Sequence, residues 1–308
     1  MMFDGVLNVL KPPGMTSFDV VAWVRRQMEG IRTGHTGTLD PSAAGVLPIC
    51  TGKATRAADL LSASDKCYRA EMTLGITTDT LDGDGRILST MTPDVSEESI
   101  RHVLAGMEGP QMQVPPMYSA VQTGGVRLYE LARKGQEVER SPRLIVIYSL
   151  KLLSVRGPKV MFDVECSKGT YVRKLCADLG DRLGCGAYMS FLLRLRTGVF
   201  RLEDACTLET VSSLKAEGRL AEAVMPLKEA LSGHRGVVLA EEQAAYFTSG
   251  GPVTLRPDDQ GKCGDIRTIK NGDLLLIYGP RGELLGFTKD LTDAGNGRMI
   301  IRKRKIFA

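Results

Sequence analysis

The chain has 308 residues, 43% hydrophobic and 25% charged, with a net charge of +4. That length predicts one large domain with a smaller companion, and the apolar fraction is enough for a core without staples. No stretch approaches the roughly 18 apolar residues of a membrane span, and MMFDGVLNVLKPPG lacks the basic start, apolar run and cleavage site of a signal peptide.

The seven cysteines (Cys50, Cys67, Cys166, Cys176, Cys185, Cys206 and Cys263) are odd in number and never at C-x-x-C spacing. They predict neither a zinc site nor a disulfide framework, and a reducing cytoplasm as the location. From Arg235 onward there are 12 Lys/Arg against 9 Asp/Glu, so the last quarter carries +3 of the charge. The closing run Arg302, Lys303, Arg304, Lys305 reads equally as a solvated terminus or as a set of phosphate contacts.

In chain order, Val6, Leu7 and Val9 predict a short strand stopped by Pro12, Pro13 and Gly14. Thr16 or Ser17 then caps a helix with Phe18, Val21, Val24 and Met28 on one face. The glycine-punctuated RTGHTGTLDPSAAGVLP reads as a loop, followed by a helix around 55–61. Tyr68, Ala70, Met72 and Leu74 alternate with polar residues in a period-two strand. DTLDGDG is a turn leading into a strand at 86–90. Ser96 caps a helix that buries Ile100, Val103, Leu104 and Met107.

A loop with a short helix spans 110–140. Strands are expected at 144–155 and 160–166, a helix at 171–183, and helical pieces at 208–231. After a helix at 240–247 the chain reads as mostly β, a small barrel. The mixture lacks a βαβ rhythm, so the fold class is α+β. The expected domains are 1–232 and 233–308.

Three tempting motifs fail. Gly52-Lys53 would need a glycine at Leu47 and a Ser or Thr at Ala54 to form a phosphate loop. Setting Asp82 and Asp84 as third and fifth calcium ligands puts Thr80 first and Met91 twelfth. The three histidines, His35, His102 and His234, are far apart and predict no metal site. No G-x-G-x-x-G opens a helix after a strand, so no dinucleotide cofactor is expected either.

What remains is a carboxylate and its setting. On spacing alone Asp40, before Pro41, is more commonly a turn residue capping a helix. Arg173 lies in the first turn of the helix after SKGTY, where a cation opposes the helix dipole. Lys174 has Asp178 four residues on, but Arg173 has Ala177 there, so Arg173 should point at something outside its helix: an acid, a phosphate or solvent. Tyr68 and Tyr171 are each either core tyrosines or stacking platforms for a base.

Several long segments, in order, resemble the bacterial tRNA pseudouridine-55 synthase family. They are NVLKPPGMTSFDVV, GHTGTLDPSAAGVLPICTGKATR, DKCYRAEMTLGITTDTLDGDG, QVPPMYSAVQTGGVRLYELARKG, CSKGTYVRKLCADLG and GCGAYMSFLLRLRTG. The likeness is dense over residues 5–200 and looser beyond. It implies a largely antiparallel catalytic sheet with flanking helices, then a small PUA-like β-barrel RNA-binding domain. It also implies that Asp40 is the nucleophile, Tyr68 the active-site tyrosine and Arg173 the partner of the aspartate. His35 would help hold flipped T-loop nucleotides, Tyr171 and Leu192 would line the uracil pocket, and Lys11 would lie near it.

The chain departs from the family's usual pattern at Leu192-Leu193-Arg194-Leu195, at Arg32-Thr33 and at Gln122, without losing a catalytic group. The implied reaction moves uracil from an N1–C1′ to a C5–C1′ bond in the T loop of tRNA, with no cofactor and no metal. A monomer without membrane attachment or an obligate protein partner is expected. The competing readings are a non-catalytic tRNA-binding chaperone and a pseudouridine synthase for another RNA.

Overall fold

The structure is a computed structural model that describes residues 3–256, 268–302 and 304–307. Cys263 and Lys303 therefore lie outside the described residues. Strand β1 (Gly5–Lys11) is buried along nearly its whole length and stops at Pro12-Pro13. Helix α1 (Ser17–Gln27) begins at Thr16, whose hydroxyl accepts from the Asp19 N–H while the Asp19 carboxylate accepts from the Thr16 N–H. This capping box satisfies two otherwise orphaned donors.

Strands β2 (Thr33–His35) and β3 (Ala44–Thr51) occupy what the sequence predicts as loop. A 3₁₀ turn then runs into α2 (Ala58–Ser62). The alternating strand is β4 (Lys66–Leu74), and DTLDGDG turns between β5 (Ile76–Thr78) and β6 (Ile87–Thr90). Helix α3 (Glu97–Ala105) is capped by Ser96 as its sequence predicts.

Next come β7 (Gly109–Gln113), the short pair β8 (Gln122–Thr123) and β9 (Val126–Arg127), and α4 (Leu128–Arg133). Long strands β10 (Arg143–Arg156) and β11 (Lys159–Cys166) precede α5 (Val172–Arg182). Strands β12 (Ala187–Thr197) and β13 (Phe200–Arg201), helix α6 (Leu208–Ala216), strand β14 (Val224–Pro226) and helix α7 (Leu227–Ala230) follow.

The main sheet runs β14-β1-β3-β12-β4-β11-β10-β7, with β2 on β3 and β13 on β12. Every pairing is antiparallel except β12 with β3, which is parallel over Leu193–Ala44 and Arg194–Gly45. This is the mixed, largely antiparallel sheet expected. Helices α3 and α5 cover one region through Ile100, Leu104, Leu175 and Leu179, packed on Met72, Phe162 and Val164. Each such fully buried side chain contributes roughly 1.5–3 kcal/mol. Helix α1 packs Val20, Val21, Val24 and Met28 onto Leu7, Val9, Leu47 and Ile49. Phe18, expected on that buried face, is 73% exposed, while Val20, expected to widen the face, is fully buried.

After α7 the described residues form β15 (Gly236–Val238), α8 (Glu241–Ser249), β16 (Val253–Leu255), β17 (Leu275–Tyr278), β18 (Leu284–Thr288), β19 (Leu291–Gly295), β20 (Arg298–Ile301) and β21 (Arg304–Ile306). They make two small sheets, β15-β17-β18-β21 and β16-β20-β19. Among the described residues these do not close into the expected barrel. The basic tail is no free terminus where it is described: β21 pairs with β18, Arg304 lies over the Phe247 ring, and Lys305 meets Asp59 at 3.2 Å. Leu276, Tyr278, Phe287 and Phe307 share one apolar cluster with Val6, Val46, Cys50 and Leu231. No helix among the described residues is long and apolar enough to cross a membrane.

Candidate active site

Asp40 lies in the tight connection between β2 and β3. The segment after it makes one turn, closed by Ala43 N–H donating to the Asp40 carbonyl at 3.1 Å, and no helix follows at Pro41. Three side chains fasten this loop. The Ser17 hydroxyl donates to the Leu39 carbonyl (3.0 Å) and accepts from the Leu39 N–H (2.8 Å). The fully buried Lys11 ammonium donates to the carbonyls of Pro41 (3.1 Å) and Ala43 (2.6 Å). Arg194, also fully buried, donates from Nε to the Val46 carbonyl (2.7 Å) and from Nη2 to the Gly37 carbonyl (3.1 Å).

Arg173 reaches this loop from the first turn of α5. Its Nη2 donates to Asp40 Oδ1 at 3.2 Å and to the Tyr118 carbonyl at 2.8 Å. Nε stands 3.1 Å from Asp40 Oδ2 in an ion pair, without the angle of a hydrogen bond. On the far side Nη1 meets Asp82 Oδ2 at 3.4 Å. The Arg173 and Asp82 side chains are only 7% and 8% exposed, whereas Asp40 keeps 30%. One cation is thus held between two carboxylates, of which only Asp40 opens outward. Lys174 pairs with Asp178, as its spacing predicts.

Asp82 is the functional candidate that the sequence reading passed over. It sits in the DTLDGDG turn, where its carboxylate accepts from the Thr80 hydroxyl and, at 3.2 Å, from the Asp84 N–H. The only signal in the sequence was the surplus of acids in that turn beside an arginine with no helix partner. Gln113 was missed too. Its side-chain amide clasps the Tyr171 main chain, accepting from N–H at 2.8 Å and donating to C=O at 3.2 Å, and so fixes the start of α5.

Tyr68 is buried on β4, directly opposite Arg194 on β12, and Leu192 pairs with Ala70 two places along. His35 Nδ1 accepts from the Gly37 N–H at 3.2 Å, at the foot of the Asp40 loop. Tyr171, half-buried, precedes Arg173 by two residues as the cap of α5. An ion pair joins Asp40 and Arg173 directly, Lys11 reaches the same loop through the Pro41 and Ala43 carbonyls, and strand register brings Tyr68 opposite Arg194 with Leu192 two residues along β12. His35 and Tyr171 stand at the margins, anchored through their own loop and helix.

Burial is the largest influence on Asp40 and raises its pKa above the ordinary carboxylate range; Arg173 and Lys11 oppose it and Asp82 adds to it. Desolvation outweighs the pairing with Arg173. Burial lowers the Lys11 ammonium to about 8. His35 is lowered by burial and by Arg194. Burial raises the Tyr68 phenol, which remains neutral, while Arg194 pulls the other way.

Residues 25–172 match the family model "TruB family pseudouridylate synthase (N terminal domain)", and residues 173–232 match "tRNA pseudouridylate synthase B C-terminal domain". A tRNA pseudouridine synthase B of Symbiobacterium thermophilum is 49% identical over 82% of this chain and 84% of its own length. One from Syntrophus aciditrophicus is 43% identical over 94% and 91%. Among solved structures, a Cbf5-Nop10-Gar1 complex contains a chain with TM-score 0.78 and 30% identity, covering 99% of this chain and 85% of that one. An archaeal box H/ACA sRNP Nop10-Cbf5 complex matches with TM-score 0.78 at 28% identity, over 100% and 87%. Fold and matches together define the class as the pseudouridylate synthases. Within that class, the chain belongs to the TruB family.

Proposed function

We propose that this pseudouridine synthase acts on tRNA, isomerising the uridine at position 55 of the T loop with Asp40 as the nucleophile and the target base flipped out of the loop. The observation that carries this reading is the Asp40–Arg173–Asp82 arrangement, in which the one carboxylate with an open side is aimed by a buried guanidinium. The substrate class follows the relatives, which are tRNA pseudouridine synthases B by name. Flipping costs roughly a few kcal/mol of unstacking and brings the sugar to the carboxylate.

In the proposed sequence a carboxylate oxygen of Asp40 bonds to C1′ as the N1–C1′ bond breaks and uracil leaves as an anion. A proton leaves C2′ as Asp40 is expelled, giving a glycal. The turned base adds through C5 to C1′ as C2′ regains a proton. C5 then gives up its proton and N1 gains one. Nothing is oxidised, reduced or hydrolysed, so a single carboxylate suffices where water-admitting glycosidases use two.

Tyr68 supplies a stacking face and a neutral hydroxyl. Leu192 and Tyr171 line the uracil side, Lys11 holds the Asp40 loop, and His35 supports the neighbouring flipped nucleotides. The chain works alone, as a monomer. The test is to incubate the purified protein with an unmodified tRNA transcript and map pseudouridine. Asp40→Asn should still bind tRNA yet yield no product, and full turnover by that variant would refute the assignment. Product from wild type at another position, or only with an added protein, would move the substrate or the assembly.

A further inference from the structure

Among the described residues, Arg194 is the largest side chain that is fully buried, and its guanidinium donates to two backbone carbonyls. A cation placed in a protein interior without a carboxylate partner is costly to desolvate. Its surroundings increase that cost, because Lys11 on β1 and Lys66 on β4 are buried cations nearby and both feel its charge.

The two carbonyls it holds, Gly37 and Val46, bracket the segment that carries Asp40. Its strand position faces Tyr68 directly across β4 and β12, and cross-strand partners project to the same side of a sheet. Its own backbone lies against Gly45, where an added Cβ would come within 2.3 Å of the Arg194 carbonyl oxygen. One residue therefore touches both ends of the nucleophile loop and stands behind the tyrosine.

We propose that Arg194 is a positioning residue for the isomerisation, a planar fork that sets the distance between the Asp40 loop and the Tyr68 ring. The proposal rests on the assignment of Asp40 and Tyr68 made above. Arginine suits the task because a rigid fork reaches two acceptors at once, which a lysine ammonium on a flexible stem does less well. Neither the loop fastening by Lys11 nor that by Ser17 reaches the tyrosine strand.

The test compares Arg194→Met and Arg194→Lys, with tRNA affinity and the single-turnover rate at saturating tRNA measured separately. Arg194→Met should keep wild-type tRNA affinity and slow the single turnover on the order of 100-fold, the scale of a misplacement of about 1 Å. Arg194→Lys should fall between the two. Combined with Tyr68→Phe, the loss caused by Arg194→Met should shrink, because part of what Arg194 positions is already gone.

A wild-type rate in folded Arg194→Met would overturn the proposal, as would equal losses of rate and affinity. If Arg194→Met does not fold, Arg194→Lys decides: a full rate overturns it, and a slowed rate with intact affinity supports it. An active Asp40→Asn control would instead signal failure of the underlying site assignment.

Discussion

Asp40 is held by opposing forces, and both leave a measurable trace. Burial raises its carboxyl while Arg173 and Lys11 favour the charged form. The chemistry needs the carboxylate, so activity should be lost as pH falls through a value above the ordinary carboxylate range. Arg173→Gln removes the opposing cation and should move that acid limb further up in a pH–rate profile; an unmoved limb would separate Arg173 from Asp40 ionisation. For stability the sign is the reverse of that for a salt-bridged carboxylate. The folded pKa lies above the unfolded one, so the fold gains stability as pH falls through the folded value. Asp40→Asn should accordingly melt no lower than wild type.

Asp82 makes a second prediction at this scale. Asp82→Asn leaves Arg173 with one carboxylate and should cost roughly 1.5–3 kcal/mol in denaturant unfolding, together with a large loss of rate. A silent variant would make Asp82 a bystander. Arg173 was legible in the sequence because its helix offered no partner. Asp82 was not, because a buried acid in a turn looks like a solvated one until the partner across the fold is known.

Among the elements, those with alternating or capped patterns were legible, such as β4 with its period of two and α3 behind Ser96. The two strands that build the site were not. β3 is buried on nearly every residue, so AGVLPICT has no polar alternation, and its glycine and proline read as loop. Its Pro48 carbonyl accepts from the Thr36 N–H at 3.1 Å, at the seam between the β12 and β2 pairings. β12 changes register twice along β4, between Met189 and Phe191 and between Arg194 and Arg196, which breaks its period.

The parallel junction of β3 and β12 depends on Gly45, at φ +118° with no room for a side chain. Gly45→Ala should lower stability by at least about 1–3 kcal/mol. Thermal unfolding measures this, and an unchanged Tm would mean that the junction relaxes freely.

For the molecule as a whole, the sequence predicted an α+β sheet and a β-rich end, and both are present. The closed barrel, expected from the β-rich end and the family resemblance, is not formed among the described residues, and a reading by local pattern is blind to what packs across residue 232. Leu276, Phe287 and Phe307 bury themselves against Val6, Cys50 and Leu231. A chain ending at residue 232 should therefore expose an apolar face, lose solubility and unfold at lower denaturant than the full chain. Equal stability of the truncated chain would show that the C-terminal sheets contribute no shared core.

The most direct measurement is pseudouridine mapping on an unmodified tRNA transcript after incubation with the purified chain and with Asp40→Asn. The account predicts one modified site, the T-loop uridine at position 55, with wild type, and none with Asp40→Asn despite retained tRNA binding. Product at that site from both proteins, or from neither, would contradict it.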